Sequence, residues 1–462
     1  MPRILVVGGG LIGLATAQLL AQQGHDVTVL ERDPAPPPTT PADVIDGWER
    51  PGVMQFRLVN FLMPRGRRLL DDHLPEVTAL LADSGATVFN GLNNLPPTVT
   101  NYSPRPDDGR FATLATRRQL LEYAMASTAA DRVDVRRGVH VTGLLSNGHR
   151  RVTGVQLNDS ELAADLVIDA MGRRSPLPAW LAAIGAGAPA EESEDLGFVY
   201  YGRFYQAPAD AAPLIAGLFH YDCYSVLVLP SDVGTWSATI VTNQRDHALR
   251  ALREEANFTK LVSACPTHAP ILDLEPVTGM LAAAGTSDRL RELVTGGTPV
   301  ATGVLTVGDS WACTNPSLGR GITIGLMHAL ATNEAVASHL SDPVALALEQ
   351  DRLTRERVLP WYRATAQIDR QRAAQVAAAI EGRPPAPAPS DPAALVMQDF
   401  MTATALDADA FRAYLEMIFL LALPQEILSR PGFAERVSDI AAGRPPTPPP
   451  GPARQDLLAM LS

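Results

Sequence analysis

Residues 3–32 constrain this chain more than any other stretch. Ile4-Leu5-Val6-Val7 is a short apolar run of the kind that forms a fully buried strand, and Gly8-Gly9-Gly10-Leu11-Ile12-Gly13 follows it directly. An apolar helix pattern then runs to Gly24, and Val27-Thr28-Val29-Leu30 reads as a second strand ending in Glu31 and Arg32. Each glycine of this G-x-G-x-x-G turn answers a physical demand. Gly8 permits the tight turn off the strand, Gly10 lets backbone approach a pyrophosphate, and Gly13 lets the helix lie close to the sheet. The helix start at Leu11 and Ile12 presents free N–H groups and a positive dipole end to phosphates. Glu31 lies about 20 residues on, where a carboxylate accepts from ribose hydroxyls and opposes a 2′-phosphate. Strand, turn, helix, strand and acid together predict a dinucleotide-binding unit. Which dinucleotide it takes must come from the rest of the chain.

Composition narrows the class. The chain of 462 residues is 46% hydrophobic and 19% charged, as an ordinary globular protein of two or three domains is. A net charge of −12 argues against nucleic acid, which calls for a basic face. Cys223, Cys265 and Cys313 are far apart and odd in number, so reduced thiols in a cytoplasmic protein are expected, with no disulfide framework and no metal site. No leader is expected before the first strand, and no apolar run approaches the 18 or so residues of a membrane span. The run Met417 to Pro424 reads as a buried helix.

Further along, 61–84 reads as helical, 86–115 as short strands, and Thr116–Thr128 as a helix with Leu120, Leu121, Ala124 and Met125 on one face. Strands follow at 133–135, 139–145 and 152–157, and Leu166-Val167-Ile168-Asp169 is a further buried strand. From 196 to 300 the pattern changes to alternating β segments, with a helical stretch near 246–264. Val304–Val307 returns to a buried strand and leads into a second glycine-rich turn. The chain is helical after 344, including one long helix from Leu346 to Ile380, a Pro/Ala-rich linker from Arg383 to Pro392, and a proline-rich end, Arg444–Pro452, read as extended or mobile.

The second turn separates a flavoprotein from a simple nicotinamide enzyme. Gly308-Asp309-Ser310-Trp311-Ala312-Cys313-Thr314-Asn315-Pro316-Ser317-Leu318-Gly319-Arg320-Gly321 resembles the GD…P-x-x-G-x-G segment of FAD-dependent monooxygenases of the para-hydroxybenzoate hydroxylase fold. Asp169-Ala170-Met171-Gly172-Arg173-Arg174-Ser175 resembles that family's middle fingerprint, and the three motifs stand in the family's order. Trp48–Arg57, Leu74-Pro75 and Tyr200–Tyr205 resemble segments of bacterial natural-product flavin epoxidases and hydroxylases. The family histidine after Gly-Asp is Ala312 here, its middle-fingerprint Asp is Met171, the subgroup's histidines are Leu58 and Asn60, and an asparagine is Thr323.

The resemblance implies an α/β fold: a Rossmann-like FAD-binding domain, a β-sheet substrate domain and a helical C-terminal extension. On that division, 1–85, 116–195 and 301–345 form the FAD domain, and 86–115 adds substrate-domain strands. Segment 196–300 is the substrate sheet, 346–442 the C-terminal helices and 443–462 a tail. Gly8, Gly10, Leu11, Ile12, Gly13, Glu31 and Arg32 would hold the ADP half of FAD, and Arg118 its phosphates or ribityl chain. Asp309 would accept from cofactor hydroxyls. Pro316, Gly319 and Gly321 would lie against the isoalloxazine, with the helix starting at Gly321 and Ile322 pointing its N-terminus at flavin N1 and O2.

The implied reaction uses NAD(P)H and O₂ to hydroxylate or epoxidise a bulky apolar metabolite through a flavin C4a-hydroperoxide, in a monomer or homodimer. A reductase or dehydrogenase of the same fold, a halogenase, and a non-enzymatic FAD-binding protein are the alternatives; no Trp-x-Trp-x-Ile-Pro segment favours the halogenase. No single catalytic residue stands out. Candidate pocket residues are Arg57, Tyr201, Arg203, Tyr205, Tyr224 and Trp236, with His220 beside them. Aromatic residues on strands are also common core packing. Arg203 suits either a substrate carboxylate or an acid of the protein.

Overall fold

Ile4, Leu5 and Val6 are fully buried because their strand runs down the middle of a parallel sheet covered on both faces. The computed structural model describes residues 2–148, 150–212, 214–384, 391–444 and 449–461. Its five-stranded sheet has the order Val304–Thr306, Leu166–Asp169, Arg3–Val7, Asp26–Glu31, Asp134–Arg137. All four pairings are parallel. Register decides where the motifs meet. Val7 lies opposite both Leu30 and Asp169, and Thr306 lies opposite Asp169. The turns after Val7, Asp169 and Val307 therefore leave the same edge of the sheet, at the carboxyl ends of its strands.

The helix Leu11–Gln22 is buried on almost every side, between the sheet and the helices Arg118–Ala130 and Gly321–His339. Proline divides the helical regions. The 61–84 region is two helices, Pro64–His73 and Pro75–Asp83. The long helix expected from Leu346 to Ile380 is also two, Pro343–Arg357 and Leu359–Ile380. Pro360 has no N–H to continue the ladder and its ring clashes with the preceding turn, so the axis restarts there.

The second sheet is antiparallel, ordered Gly217–His220, Ser225–Pro230, Thr235–Asn243, Phe198–Gln206 and Glu275–Pro276, with Leu281–Ala283 also on Phe198–Gln206. Thr87–Asn90 and Ala112–Ala115 pair only with each other. The expected 246–264 helix is a 3₁₀ turn, Ala248–Arg253, followed by Glu255–Ser263. Arg117 joins the two domains: its backbone N–H and guanidinium both reach the fully buried carboxylate of Asp232.

The end of the chain corrects the expectation of a loose tail. Arg454–Leu461 is a helix whose Leu457 is fully buried among Phe258, Leu261 and their neighbours. Tyr224 donates to the Pro452 carbonyl at 3.3 Å, and Arg454 pairs with Asp246. The prolines raise no obstacle, because an apolar helix face beyond them finds a core to enter. Residues 385–390 of the linker and 445–448 of the tail lie outside the described residues.

Candidate functional site

Gly8 has φ +109°, and a Cβ there would fall 2.5 Å from the Ala170 carbonyl oxygen. A Cβ on Gly13 would meet the Gly8 carbonyl at 2.1 Å. Both positions are closed by protein backbone. Gly10 is the opposite case: a Cβ there meets nothing within 4 Å. The backbone at Gly10 therefore faces open space, at the start of a helix whose first turn carries no side-chain cap. Ile12 contributes packing, with its side chain against Gly308 and Gly325. It holds the first glycine turn to the second.

Glu31 is 7% exposed, and its carboxylate accepts from Gly9 N–H at 2.9 Å, Asp33 N–H at 2.8 Å and Arg50 at 2.7 Å. Oε1 takes only one of these bonds and keeps a lone pair for a cofactor hydroxyl. Arg50, absent from the sequence expectations, is 3% exposed and also bonds the Gly9 carbonyl, Asp33 and Glu122. The fully buried Glu122 holds Arg118 as well, at 2.6 Å, so one carboxylate aims two arginines at the site. The i,i+4 spacing of Arg118 and Glu122 on one helix was a legible signal for this pair. Arg32, expected to hold cofactor, is exposed, with its guanidinium close to Gly52.

On the other side of the edge, Asp169 is turned inward, accepting from Met171 N–H, Ser175 and Ser310. Asp309, half-buried, lies beside Gly172, where a Cβ would stand 3.9 Å from its own. Among the described residues no hydrogen bond reaches its carboxylate, and burial raises its pKa against the pull of Arg173, Arg118 and Arg289. Arg173 Nη1 and Arg289 Nε are likewise buried without partners among the described residues. An open glycine backbone, an uncapped helix N-terminus, a carboxylate lacking a partner and underused guanidinium N–H groups suit a dinucleotide with a pyrophosphate. Those residues fit FAD.

A cleft lies beyond, between Gln55, Leu58, Val59 and Pro316 on one side and the antiparallel sheet on the other. Gly319 has φ +65°, which turns the chain from Pro316 into the helix Gly321–His339. The sheet offers the cleft Tyr200, Phe204, Leu227, Ser237, Thr239 and Leu281.

Strand parity corrects the pocket expectations. Tyr201 and Tyr205 face the opposite side of their strand and are buried with Val226, Val228 and Phe258. Trp236 stands opposite Tyr205 and packs on that same core. Arg203, by contrast, lines the cleft as expected, with its guanidinium pairing with Glu255 at 2.7 Å and donating to the Thr278 carbonyl. Tyr224 stacks on Tyr221 at 4.6 Å, in the same core. Arg57 is exposed and paired with Glu49. His220 bonds Ser225 at 2.8 Å. Cys313 is buried, its thiol pushed up to about 11, so it is an inert packing group.

The fold and this site carry an FAD-dependent oxidoreductase domain at the start of the chain. Residues 3–73 match the family model described as DAO, FAD dependent oxidoreductase. Over 394 residues the chain is 27% identical to Protein Rv3254 of Mycobacterium tuberculosis, covering 78% of each chain. Its fold is that of pqsL, described as a probable FAD-dependent monooxygenase from Pseudomonas aeruginosa. The TM-score is 0.58 at 19% identity, over 81% of this chain and 99% of that one. CmlS, a flavin-dependent halogenase, superposes with a TM-score of 0.59 at 16% identity, over 90% of this chain and 72% of that one. No helix among the described residues is long and apolar enough to cross a membrane.

Proposed function

We propose that the protein is an FAD-dependent monooxygenase that uses NAD(P)H and O₂ to hydroxylate or epoxidise a neutral, apolar small molecule. The observation that carries the reading is the cleft between the Pro316 loop and the antiparallel sheet. Leu58, Val59, Phe204, Leu227 and Leu281 line it, and its polar groups are hydroxyls and one amide: Tyr200, Ser237, Thr239 and Gln55. Its one charged lining residue, Arg203, is already paired with Glu255. A substrate carboxylate would find no available cation there, whereas apolar surface and hydroxyl groups would be matched.

When bound, FAD supplies the hydride-accepting and oxygen-activating chemistry. Gly8, Gly10 and the Leu11–Gln22 helix would seat its phosphates, Glu31 and Asp309 would accept from its hydroxyls, and Arg50 and Arg118 would balance its charge. The Gly321–His339 helix has no side-chain cap and directs its N-terminal dipole at the loop that borders the cleft, favouring negative charge there. The apolar lining excludes water, which protects a reactive oxygen donor from wasteful discharge. Tyr200 is the one phenol in the cleft. Burial raises its pKa well above the ordinary value, so it stays protonated.

Anaerobic titration of the FAD-loaded protein with NADH and NADPH, then oxygen-uptake and ¹⁸O₂ labelling with a panel of neutral apolar compounds, tests this reading. Reduction by a nicotinamide and ¹⁸O in the product support it. Flavin reduction with product lacking ¹⁸O would move the assignment to a reductase. Halide-dependent product would move it to a halogenase.

A further inference from the structure

We propose that Asp369, supplied by the C-terminal helix Leu359–Ile380, is the positioning residue that sets the Pro316–Gly321 loop of the flavin site. This rests on the reading that the loop borders FAD. None of the three sequence motifs covers this helix, yet it grips the loop twice. Ser317 donates to Asp369 Oδ1 at 2.6 Å, and Arg320 bonds Thr365 Oγ1 at 3.3 Å. Thr365 and Asp369 are four residues apart, one above the other on a single helix face. Arg320 also donates to the Met417 carbonyl at 3.1 Å, which ties the loop to the end of the next helical layer.

The loop is gripped from the other side by Asp288, which accepts from the Asn315 N–H at 2.7 Å. Tyr200 reaches the same point from the cleft, its hydroxyl lying against Asn315, Ser317 and Thr286. Asp369 is 2% exposed, Asp288 2% and Arg320 3%. Asp369 Oδ2, Asp288 Oδ2, Arg320 Nε and Asn315 Nδ2 are all buried without partners among the described residues. Two carboxyls and one guanidinium thus converge on a buried loop, where the charge of one acid disfavours ionisation of the other.

Burial first, and the charge of Asp288 second, push the Asp369 carboxyl up to about 8, against Ser317 and Arg320. Asp288 is raised by burial and by Glu194, and is restrained by the Asn315 N–H, Arg370 and Arg173. Tyr414 faces Arg320, and Tyr362 faces Asp288. Below this range Asp369 is a neutral acid that accepts from Ser317 and keeps an O–H. Above it, a buried charge develops behind the loop. For an acid raised in the folded state, the associated stability is complete below its ordinary pKa and is lost as pH rises to about 8.

The test uses full-length protein with and without FAD, from about pH 5 to about pH 9. Asp369→Asn keeps the site neutral throughout. Without FAD, the melting temperature of the wild type is expected to fall progressively below that of the variant up to about pH 8, with a constant gap above it. With FAD, the wild-type dissociation constant is expected to rise several-fold as pH passes about 8, where Asp369 ionises in the folded protein, while that of the variant stays flat. Ser317→Ala, which removes a donor to the carboxylate, is expected to move the midpoint up. Asp288→Asn, which removes a like charge, is expected to move it down. If Asp369→Asn does not fold, those two opposite shifts carry the test. A gap independent of pH, or midpoints that do not separate, overturns the proposal even if FAD binds normally. Titration in protein that takes up no FAD supports the loop assignment and overturns the flavin reading instead.

Discussion

Gly8 and Gly10 stand two residues apart and are glycine for opposite reasons. Gly8→Ala forces a side chain into left-handed backbone and against the Ala170 carbonyl. It is expected to cost about 2 kcal/mol or more, read as a lowered urea midpoint of the FAD-free protein. Gly10→Val fills open space and is expected to leave that midpoint nearly unchanged while FAD content falls. Glu122→Gln leaves Arg50 and Arg118 short of a buried partner. A loss of about 3 kcal/mol or more in stability or FAD affinity is expected, by denaturation and by flavin fluorescence titration. The turn glycines were legible because their spacing follows local backbone geometry. Arg50 was not, because its partners Glu31, Asp33 and Glu122 come together only when the sheet and the Arg118–Ala130 helix pack.

At the scale of elements, the Phe198–Gln206 strand is the instructive case. Its sequence, FVYYGRFYQ, is aromatic on both sides, so a period of two identifies a strand without saying which face meets the cleft. The sheet's packing on the Glu255–Ser263 helix settles the parity, placing Tyr200 and Phe204 at the cleft and Tyr201 and Tyr205 in the core. Phe204→Ala is therefore expected to alter KM for the substrate, whereas Tyr205→Ala is expected to cost about 3–5 kcal/mol of stability, compared by steady-state kinetics and urea melts. The terminal helix makes a parallel point. Leu457→Ala is expected to lower stability by about 2–4 kcal/mol, a loss that a dangling tail would not show in the same melts.

Over the whole molecule, buried histidines contribute to the loss of stability in acid. His328 is 1% exposed beside Trp311, and burial lowers its pKa to about 3; His268 is lowered to about 4 for the same reason. Both fold neutral. The unfolded chain takes up protons first, so stability is full above the ordinary histidine value and falls as pH drops toward these values, by at most about 1.4 kcal/mol per pH unit for each group. Urea midpoints measured on acidification are expected to fall less steeply for His328→Gln than for the wild type. Arg117 and Asp232 also tie the Arg118–Ala130 helix to the antiparallel sheet.

The sequence by itself determined the dinucleotide-binding turn, the order of the three glycine-bearing motifs along the chain, and the alternation from parallel α/β to antiparallel β. These follow from short-range rules: glycine backbone freedom, the hydrophobic period and the need to bury apolar strands. Tertiary structure alone decided which aromatic residues see the cleft, which arginines are buried, and that the last helix docks. It also brought Asp369 to Ser317 across 52 positions of sequence, a contact no local pattern encodes. The reason is physical: a buried polar group is defined by what surrounds it in space, and its neighbours arrive from every part of the chain.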